Sequence, residues 1–340
     1  MTSGGVVQHA PLVTSTAENG PYRGWISVVV GVYNGGKDLR PSLDSVLGQR
    51  DVDIEVIVVD DGSTDETGAE LRSMQDRDTR LRVLTQANAG LTSALIRGCG
   101  EARGEYIARH DIGDRSLPQR FRRQMALLEA DPQAVMATCG YRFVGPESEL
   151  LDEVMPRDTP GPWTEILRSG DEARLYGPHH GTVMFRRSAY EAAGGYRAEF
   201  YFAQDLDLWT RLAALGSLVY TREILYQVGF THDSLSARYG DRQRRLRAII
   251  AEATRRRVEG KPEADLLERA VTIRKPNGGG AAHSAGSAID ADYFIGSCLA
   301  KRHDPAARRY LGRVIRRRPF HAKAWVKLIG SYLAAAGRSS

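Results

Sequence analysis

Glu55-Val-Ile-Val-Val-Asp-Asp-Gly-Ser-Thr-Asp65 is the stretch from which the fold can be read. Val56 to Val59 form an unbroken apolar, β-branched run, which is typical of a parallel strand covered on both faces. The paired carboxylates Asp60 and Asp61 come at the carboxyl end of that strand, where open α/β sheets bind their ligands. Adjacent carboxylates repel each other, so they need donors such as a base, a ribose or a cation. Ser63 to Asp65 are equally typical of a helix cap.

Strand and helix patterns alternate on both sides of this stretch. The other strand patterns lie at Ile26–Val32, Leu81–Thr85 and Gly104–Arg109, and helical patterns lie at 39–47, 67–75 and from Asn88 onward. Such repeats predict an α/β fold with a doubly wound, mostly parallel sheet and flanking helices. The turn Tyr33-Asn34-Gly35-Gly36 is not a Gly-x-Gly-x-x-Gly fingerprint, and no Gly-Lys-Ser/Thr loop occurs. These absences argue against a dinucleotide enzyme and a P-loop ATPase.

The composition is that of a globular protein with one large domain. A chain of 340 residues with 42% hydrophobic content can bury a full core. Cys99, Cys139 and Cys298 are few and widely spaced, so they indicate neither a disulfide framework nor a zinc site and fit a reducing compartment. No apolar run reaches the roughly 18 residues needed to span a bilayer, and the N-terminus lacks a signal pattern. We therefore expect a cytoplasmic protein.

The net charge of +5 is unevenly distributed. Basic residues crowd into Arg242–Arg257 and Lys301–Lys327. This distribution is typical of contact with an anionic surface, lipid headgroups rather than nucleic acid, and equally of two solvated helix faces. The first interpretation predicts peripheral contact with the inner face of a membrane.

Further polar groups follow later strands. His110-Asp111-Ile-Gly-Asp114 places carboxylates at the tip of a central strand, where they suit a hard cation shared with phosphate oxygens, although Asp111 and Asp114 are also common turn residues. His179–Arg186 is a further candidate strand at the site; its adjacent histidines, His179 and His180, would point to opposite sides of the strand, so they should not share a metal. Asp205 begins an apolar helix, either as a functional carboxylate or as a helix cap.

Five motifs in this order resemble family-2 glycosyltransferases of the GT-A fold over roughly Trp25 to Tyr239. They are Ile26-Ser-Val-Val-Val-Gly-Val-Tyr-Asn34, Val58-Val-Asp-Asp-Gly-Ser-Thr-Asp65, Asn88-Ala-Gly-Leu91, Ala102–Arg109 before Asp111, and Gln204-Asp205 before Leu208-Trp209. The resemblance implies transfer of a sugar from a nucleotide-diphosphate donor to an acceptor hydroxyl, with inversion at the anomeric carbon. It also implies a carbohydrate or lipid-linked acceptor, a role in bacterial polysaccharide or glycoconjugate assembly, and no nucleic-acid partner.

The resemblance also implies roles for individual residues. Tyr33 would pack on the base, Asp61 would hold it, and Asp205 would be the catalytic base. A divalent cation, Mg²⁺ or Mn²⁺, would be held by Asp111, Asp114 and His232. The full set of expected donor-binding residues is Val32, Tyr33, Asn34, Asp60, Asp61, Asn88, Gly90, Arg109 and Asp111.

Two positions depart from the family's pattern. The second acidic position of the metal-binding block is Gly113, and the Glu that usually precedes the catalytic Asp is Gln204. Gly113 motivates one alternative, a catalytically silent nucleotide-sugar binder. A nucleotidyltransferase is a second alternative. Such an enzyme would normally show a Gly-rich basic loop after the first strand, and Tyr33–Lys37 matches that pattern only in part.

After the transferase-like region, the sequence predicts small helices with apolar stripes and shows no catalytic spacing. We expect a helical appendage at the C-terminus. The expected divisions are a flexible leader at 1–23, a GT-A domain at 24–240, a basic helical extension at 241–274, a linker at 275–287 and the appendage at 288–340.

Overall fold

The computed structural model describes residues 22–156, 163–230, 235–273 and 285–336. The strands are β1 Tyr22–Val32, β2 Ile54–Asp60, β3 Leu81–Thr85, β4 Gly104–Arg109, β5 Arg115–Ser116, β6 Ala134–Val144, β7 Leu150–Val154, β8 Met184–Arg186 and β9 Ser217–Gly229. The first helices are α1 Leu39–Leu47, α2 Thr67–Gln75, α3 Leu91–Gly100, α4 Arg120–Ala130, α5 Trp163–Ser169 and α6 Arg187–Ala192. They are followed by α7 Gln204–Leu215, α8 Leu235–Val258, α9 Ala264–Val271, α10 Ala285–Lys301, α11 Ala307–Arg317 and α12 Ala322–Ala336. The leader through residue 21 and most of the expected linker lie outside the described residues.

The strands form one sheet in the order β3-β2-β1-β4-β8-β6-β9-β5, and β7 pairs with β6. The half formed by β3, β2, β1 and β4 is parallel throughout. In the other half, β6 runs parallel to β9, and the remaining pairings are antiparallel. This arrangement confirms the α/β, doubly wound fold class. The strand expected at His179–Arg186 is shorter than predicted, because 180–182 form a 3-10 turn and only Met184–Arg186 join the sheet.

The central strands are covered on both faces, as their apolar sequence predicts. Val56 and Val58 of β2 belong to a hydrophobic cluster with Leu43 of α1, whereas Ile57 belongs to a second cluster with Leu95 of α3. All five side chains are fully buried. Each buried aliphatic side chain of this size contributes roughly 1.5–3 kcal/mol to stability. Because β1, β2 and β4 run in the same direction between these layers, their carboxyl ends meet at one edge.

The helices α10, α11 and α12 pack on the β6–β7 hairpin through a third cluster. This cluster combines Leu151 of β7 with Ile295 and Leu311 of the helices. The Tyr310 hydroxyl donates to Glu149 Oε1 at 2.6 Å, beside the end of the hairpin. Within the described ranges, no helix combines the length and apolar character needed to cross a bilayer. The domain boundaries stay a prediction, and the first residue of α10 precedes the expected appendage boundary by three positions.

Candidate active site

Asp61 anchors the loop that follows β3. Its Oδ1 accepts hydrogen bonds from Gln86 Nε2 and from the backbone amide of Ala89, each at 2.8 Å. Its Oδ2 accepts a third from the Gly90 amide at 2.8 Å. The side chain is 3% exposed. The carboxylate therefore fixes the loop that presents the exposed Asn88, and contact between Asp61 and a base stays a prediction.

The loops after β1 and β2 are tied together by hydrogen bonds. Thr64 donates its amide to Asn34 Oδ1 at 2.8 Å, and the Asn34 amide donates to Ser63 Oγ at 2.9 Å. Asp60 Oδ1 accepts from the Ser63 amide at 2.9 Å. Asn34 and Asp60 thus shape the rim of the site, while the neighbouring Tyr33 leaves 52% of its surface exposed.

The backbone of the sheet joins the same rim at Val32, whose carbonyl accepts from the Asp61 amide at 2.8 Å. Val32 itself is buried, so its side chain belongs to the core and its backbone to the site.

Gly90 lets a distant loop reach this rim. Its φ of +93° is in a region that favours glycine, and a Cβ there would lie 2.5 Å from Cε2 of Tyr201. Thr92 Oγ1 donates to the Phe200 carbonyl at 2.8 Å, two residues further along. These contacts bring the segment before α7, and with it Asp205, to the Asp61 loop.

Asp111 is oriented by a buried arginine. Arg109 is fully buried, and its guanidinium donates to Asp111 Oδ1, to the Val29 carbonyl at 3.0 Å and to His180 Nε2 at 3.3 Å. Burial by itself would raise the pKa of Asp111, but Arg109 together with His180, His179 and His110 lowers that pKa to about 2. The Asp111 side chain remains 30% exposed. Asp111 can therefore reach a ligand, whereas the burial of Arg109 weighs against direct contact with a donor.

The side chain of Asp114 is held in the interior of the protein. Its Oδ2 accepts from the Tyr226 hydroxyl at 2.8 Å, and its Oδ1 accepts from the Gly229 amide at 3.0 Å. Burial and the nearby charge of Asp111 raise its pKa well above the usual range. The two hydrogen bonds occupy both carboxylate oxygens of Asp114, so Asp111 is better placed than Asp114 to meet a divalent cation. No group of three or more potential His, Cys, Asp or Glu metal ligands occurs within the described ranges.

Other parts of the expected metal site are also changed or undescribed. His232 lies outside the described residues. Gly113 has a φ of +98°, and a Cβ there would meet no atom within 4 Å. Its glycine is therefore required by the backbone conformation and not by crowding.

Asp205 lies half-buried in the first turn of α7. Its Oδ1 accepts from the Leu206 amide at 2.9 Å, so it satisfies one amide of the first turn and is also a candidate base. Burial raises its pKa, and the negative charge of Asp111 adds to the increase. This influence indicates that the carboxylates of Asp205 and Asp111 lie near each other.

Residues that the sequence did not single out complete the network. The Tyr226 hydroxyl accepts from the Asp111 amide at 3.2 Å while it donates to Asp114. Tyr196 Oη lies 2.8 Å from His180 Nε2, behind Arg109. Arg120 places its guanidinium 4.6 Å from the centroid of the Tyr226 ring. No spacing in the sequence marks these side chains, because each reaches the site through tertiary packing.

A cavity of about 300 Å³ opens next to this network. His179, whose pKa is lowered by burial against the opposing charge of Asp111, forms one wall, and its ring centroid lies 5.1 Å from that of Tyr141. A Cβ placed on Gly177 would lie 2.5 Å from Cδ1 of Trp209, one turn after Asp205 in α7. The cavity is lined by side chains that include Tyr141, Met155, Pro156, Tyr176, Pro178 and His179.

Comparison with known proteins places this arrangement in a family. The family model described as "Glycosyl transferase family 2" matches residues 27–194. "Putative glycosyltransferase EpsE" of Bacillus subtilis (strain 168) is 32% identical over 222 residues, which are 63% of this chain and 76% of that protein. The chain belongs to glycosyl transferase family 2.

Two further comparisons extend the similarity of this family-2 glycosyltransferase. "Chondroitin synthase" of Pasteurella multocida (strain Pm70) is 25% identical over 228 residues, covering 66% of this chain but 22% of that protein. The solved structure "Mannosyltransferase PcManGT from Pyrobaculum calidifontis in complex with GDP-Man and Mn2+" aligns with a TM-score of 0.52 at 19% identity, covering 94% of this chain and 90% of that chain. This structural likeness confirms the GT-A fold. The family-2 glycosyltransferase is therefore an enzyme of sugar transfer.

Proposed function

We propose that this family-2 enzyme is an inverting glycosyltransferase that moves a sugar from a nucleotide-diphosphate donor to an acceptor hydroxyl in polysaccharide or glycoconjugate assembly. The observation that carries the proposal is the half-buried Asp205, whose pKa is raised by burial beside Asp111. The similarity to a chondroitin synthase supports a role in polysaccharide assembly. Nucleic acid has no place in this reaction.

The donor would lie along the rim formed after β1, β2 and β3. The exposed ring of Tyr33 is suited to packing on the base. Asp61 and Asp60 hold the neighbouring loops, so the backbone around Asn34, Asn88 and Gly90 is set before the donor arrives. A preorganised loop binds a ligand more tightly, because less conformational entropy is lost on binding.

Asp205 would act as the single general base. It removes the proton from the acceptor hydroxyl, whose oxygen forms a bond to the anomeric carbon while the bond from that carbon to the diphosphate oxygen breaks. The electron pair leaves with the nucleoside diphosphate, and the configuration inverts. A raised pKa suits this role, since a base is most effective when its pKa approaches the working pH.

A divalent cation, Mg²⁺ or Mn²⁺, would supply charge to offset the negative charge of the leaving diphosphate. Asp111 would be its protein ligand, held ionised and in place by Arg109. Asp114 instead stabilises the same loop through the hydrogen bonds that it accepts from Tyr226 and Gly229. A catalytically silent nucleotide-sugar binder is the second candidate, because the incomplete ligand set around Gly113 favours it.

The acceptor would enter from the opposite side, through the cavity next to His179. Aromatic walls such as Tyr141 and Tyr176 suit the apolar face of a sugar ring or a lipid-linked carrier. A lipid-linked acceptor also fits the proposed contact with the inner face of a membrane.

The test is a screen of nucleotide sugars by thermal shift with and without Mn²⁺, followed by a transfer or donor-hydrolysis assay with the donor that stabilises the protein. Asp205→Asn keeps an oxygen for the Leu206 amide, so it should retain donor binding and lose at least about a hundredfold in turnover. Glu191→Gln, at an exposed carboxylate paired with Arg187, is the matched control and should retain full turnover. Normal turnover by Asp205→Asn would refute the catalytic assignment, and donor binding without any turnover by the natural sequence would favour the silent binder.

A further inference from the structure

Helix α12 exposes an unusually apolar surface. Leu333 is 69% exposed, Val326 is 71% exposed, and Trp325, Ile329 and Tyr332 are each at least 44% exposed. Exposed single apolar residues are ordinary, but five on one helix form a patch. We call these five side chains, with the fully exposed Phe320 just before the helix, the α12 apolar face.

The α12 apolar face is continuous because of helical geometry. Positions 325, 326, 329, 332 and 333 recur at intervals of one, three, three and one residues, which places them on one stripe of a 3.6-residue helix. The opposite side of the helix is already used, since Ala324 and Leu328 pack into the cluster shared with α10 and α11. The helix is therefore anchored on one side and offers apolar side chains on the other.

The surroundings of the α12 apolar face are strongly basic. From Pro305 to Ser340 the sequence contains nine Lys and Arg residues and no Asp or Glu. Several of these cations pair with carboxylates elsewhere, such as Arg309 with Glu149. Arg316 and Lys323 are exposed and form no ion pair within the residues that the structure describes. Lys323 lies in the same helix two residues before Trp325, and Arg316 lies near the end of α11.

Two aromatic side chains sit where the apolar stripe meets polar groups. Trp325 donates its Nε1 to the Pro319 carbonyl at 2.8 Å. The Arg308 guanidinium lies 4.2 Å from the centroid of the Tyr332 ring. Aromatic rings with one polar end, together with basic side chains whose stems can lie along apolar surface, are the groups that favour the interface of a bilayer.

We propose that the α12 apolar face docks on the surface of an anionic lipid bilayer, with Ile329 and Leu333 entering the acyl boundary and Arg316 and Lys323 contacting the headgroups. A helix with an apolar face and a basic border binds membranes in this orientation. A second copy of the chain is a poorer occupant, because a symmetric interface would bring the same basic segments together and like charges repel. The inference extends the proposed membrane contact and does not depend on sugar transfer.

The test measures co-sedimentation of the full chain with vesicles, without donor or acceptor. Vesicles of phosphatidylcholine containing about one third phosphatidylglycerol should bind the protein, and vesicles of phosphatidylcholine alone should bind at least about tenfold less. Ile329→Asp combined with Leu333→Asp should weaken binding to the anionic vesicles by about tenfold or more. Val258→Asp is the matched control, since Val258 is 73% exposed at the end of α8, and it should bind as the natural sequence does.

A second variant separates the charge contribution from folding defects. Arg316→Glu with Lys323→Glu changes only exposed side chains and should weaken binding to anionic vesicles, with no change in the thermal unfolding midpoint. Equal binding of all variants would overturn the proposal. So would a dimer in light scattering that Ile329→Asp with Leu333→Asp dissolves, because it would assign the face to a second copy.

Discussion

Asp61→Asn tests whether one carboxylate holds the donor loop. In the structure its two oxygens accept three N–H groups, from Gln86, Ala89 and Gly90, each at 2.8 Å. An asparagine offers one oxygen, so at least one buried amide of the loop must face an NH₂ group. An unsatisfied buried donor costs about 1–3 kcal/mol, and the bonds that remain lose their charge-assisted strength. We expect the free energy of unfolding to fall by roughly 2–4 kcal/mol.

The assay is urea unfolding followed by circular dichroism, with Asp205→Asn as the comparison. Asp205 accepts from the Leu206 amide through Oδ1, and an asparagine oxygen can do the same. Burial raises the Asp205 pKa, so the folded state favours its neutral form, and Asp205→Asn should leave stability at pH 7 unchanged or increase it. Calorimetry should then show donor affinity reduced by about tenfold for Asp61→Asn and nearly unchanged for Asp205→Asn. A change below about 0.5 kcal/mol for Asp61→Asn, or equal losses of donor affinity in both variants, would refute this division of roles.

The remaining predictions concern Gly113, pH and metal. Gly113→Ala should lower the free energy of unfolding by about 1–2 kcal/mol, because a φ of +98° disfavours any side chain even in open space. An unchanged midpoint of urea unfolding would contradict this. For the same reason, Gly113→Asp should not tighten metal binding. The pH profile of kcat/KM should fall on its acid side at a pH above the usual pKa of Asp, because burial and Asp111 raise the pKa of Asp205 while Arg109 opposes them. An acid limb at or below about pH 4 would contradict the role of Asp205 as the base. Excess EDTA should abolish turnover. Titration with Mn²⁺ should restore it only at a higher concentration than a site with several carboxylate ligands would need. Full activity in EDTA would refute the metal-dependent mechanism.

Local patterns were enough to predict the parallel half of the sheet. The apolar run Val56–Val59 is buried on both faces, and helix α2 and strands β3 and β4 coincide with their expected positions. The placement of Asp60, Asp61 and Asp111 at strand ends followed from the same logic, since the carboxyl end of a parallel strand is fixed once the strand is known.

Long-range hydrogen bonds could not be predicted from the sequence. Asp114 appears beside Asp111 in the chain, yet its partner Tyr226 is 112 residues away and leads its carboxylate into the interior. Arg109 likewise was expected among the donor-binding residues but is buried against Val29 and His180. Such roles depend on which side chains the tertiary structure brings together, and no spacing along the chain encodes them.

The β6–β7 hairpin connects the cavity with the C-terminal helices. One of its strands contributes Tyr141 to the wall of the cavity, and the other contributes Leu151 to the cluster that receives the C-terminal helices. Exchange of the appendage between related enzymes would therefore require exchange of the hairpin as well, because the helices are fitted to its outer side. A graft designed in this way would carry part of the cavity with it, so the proposed acceptor cavity and the C-terminal helices would be transferred together.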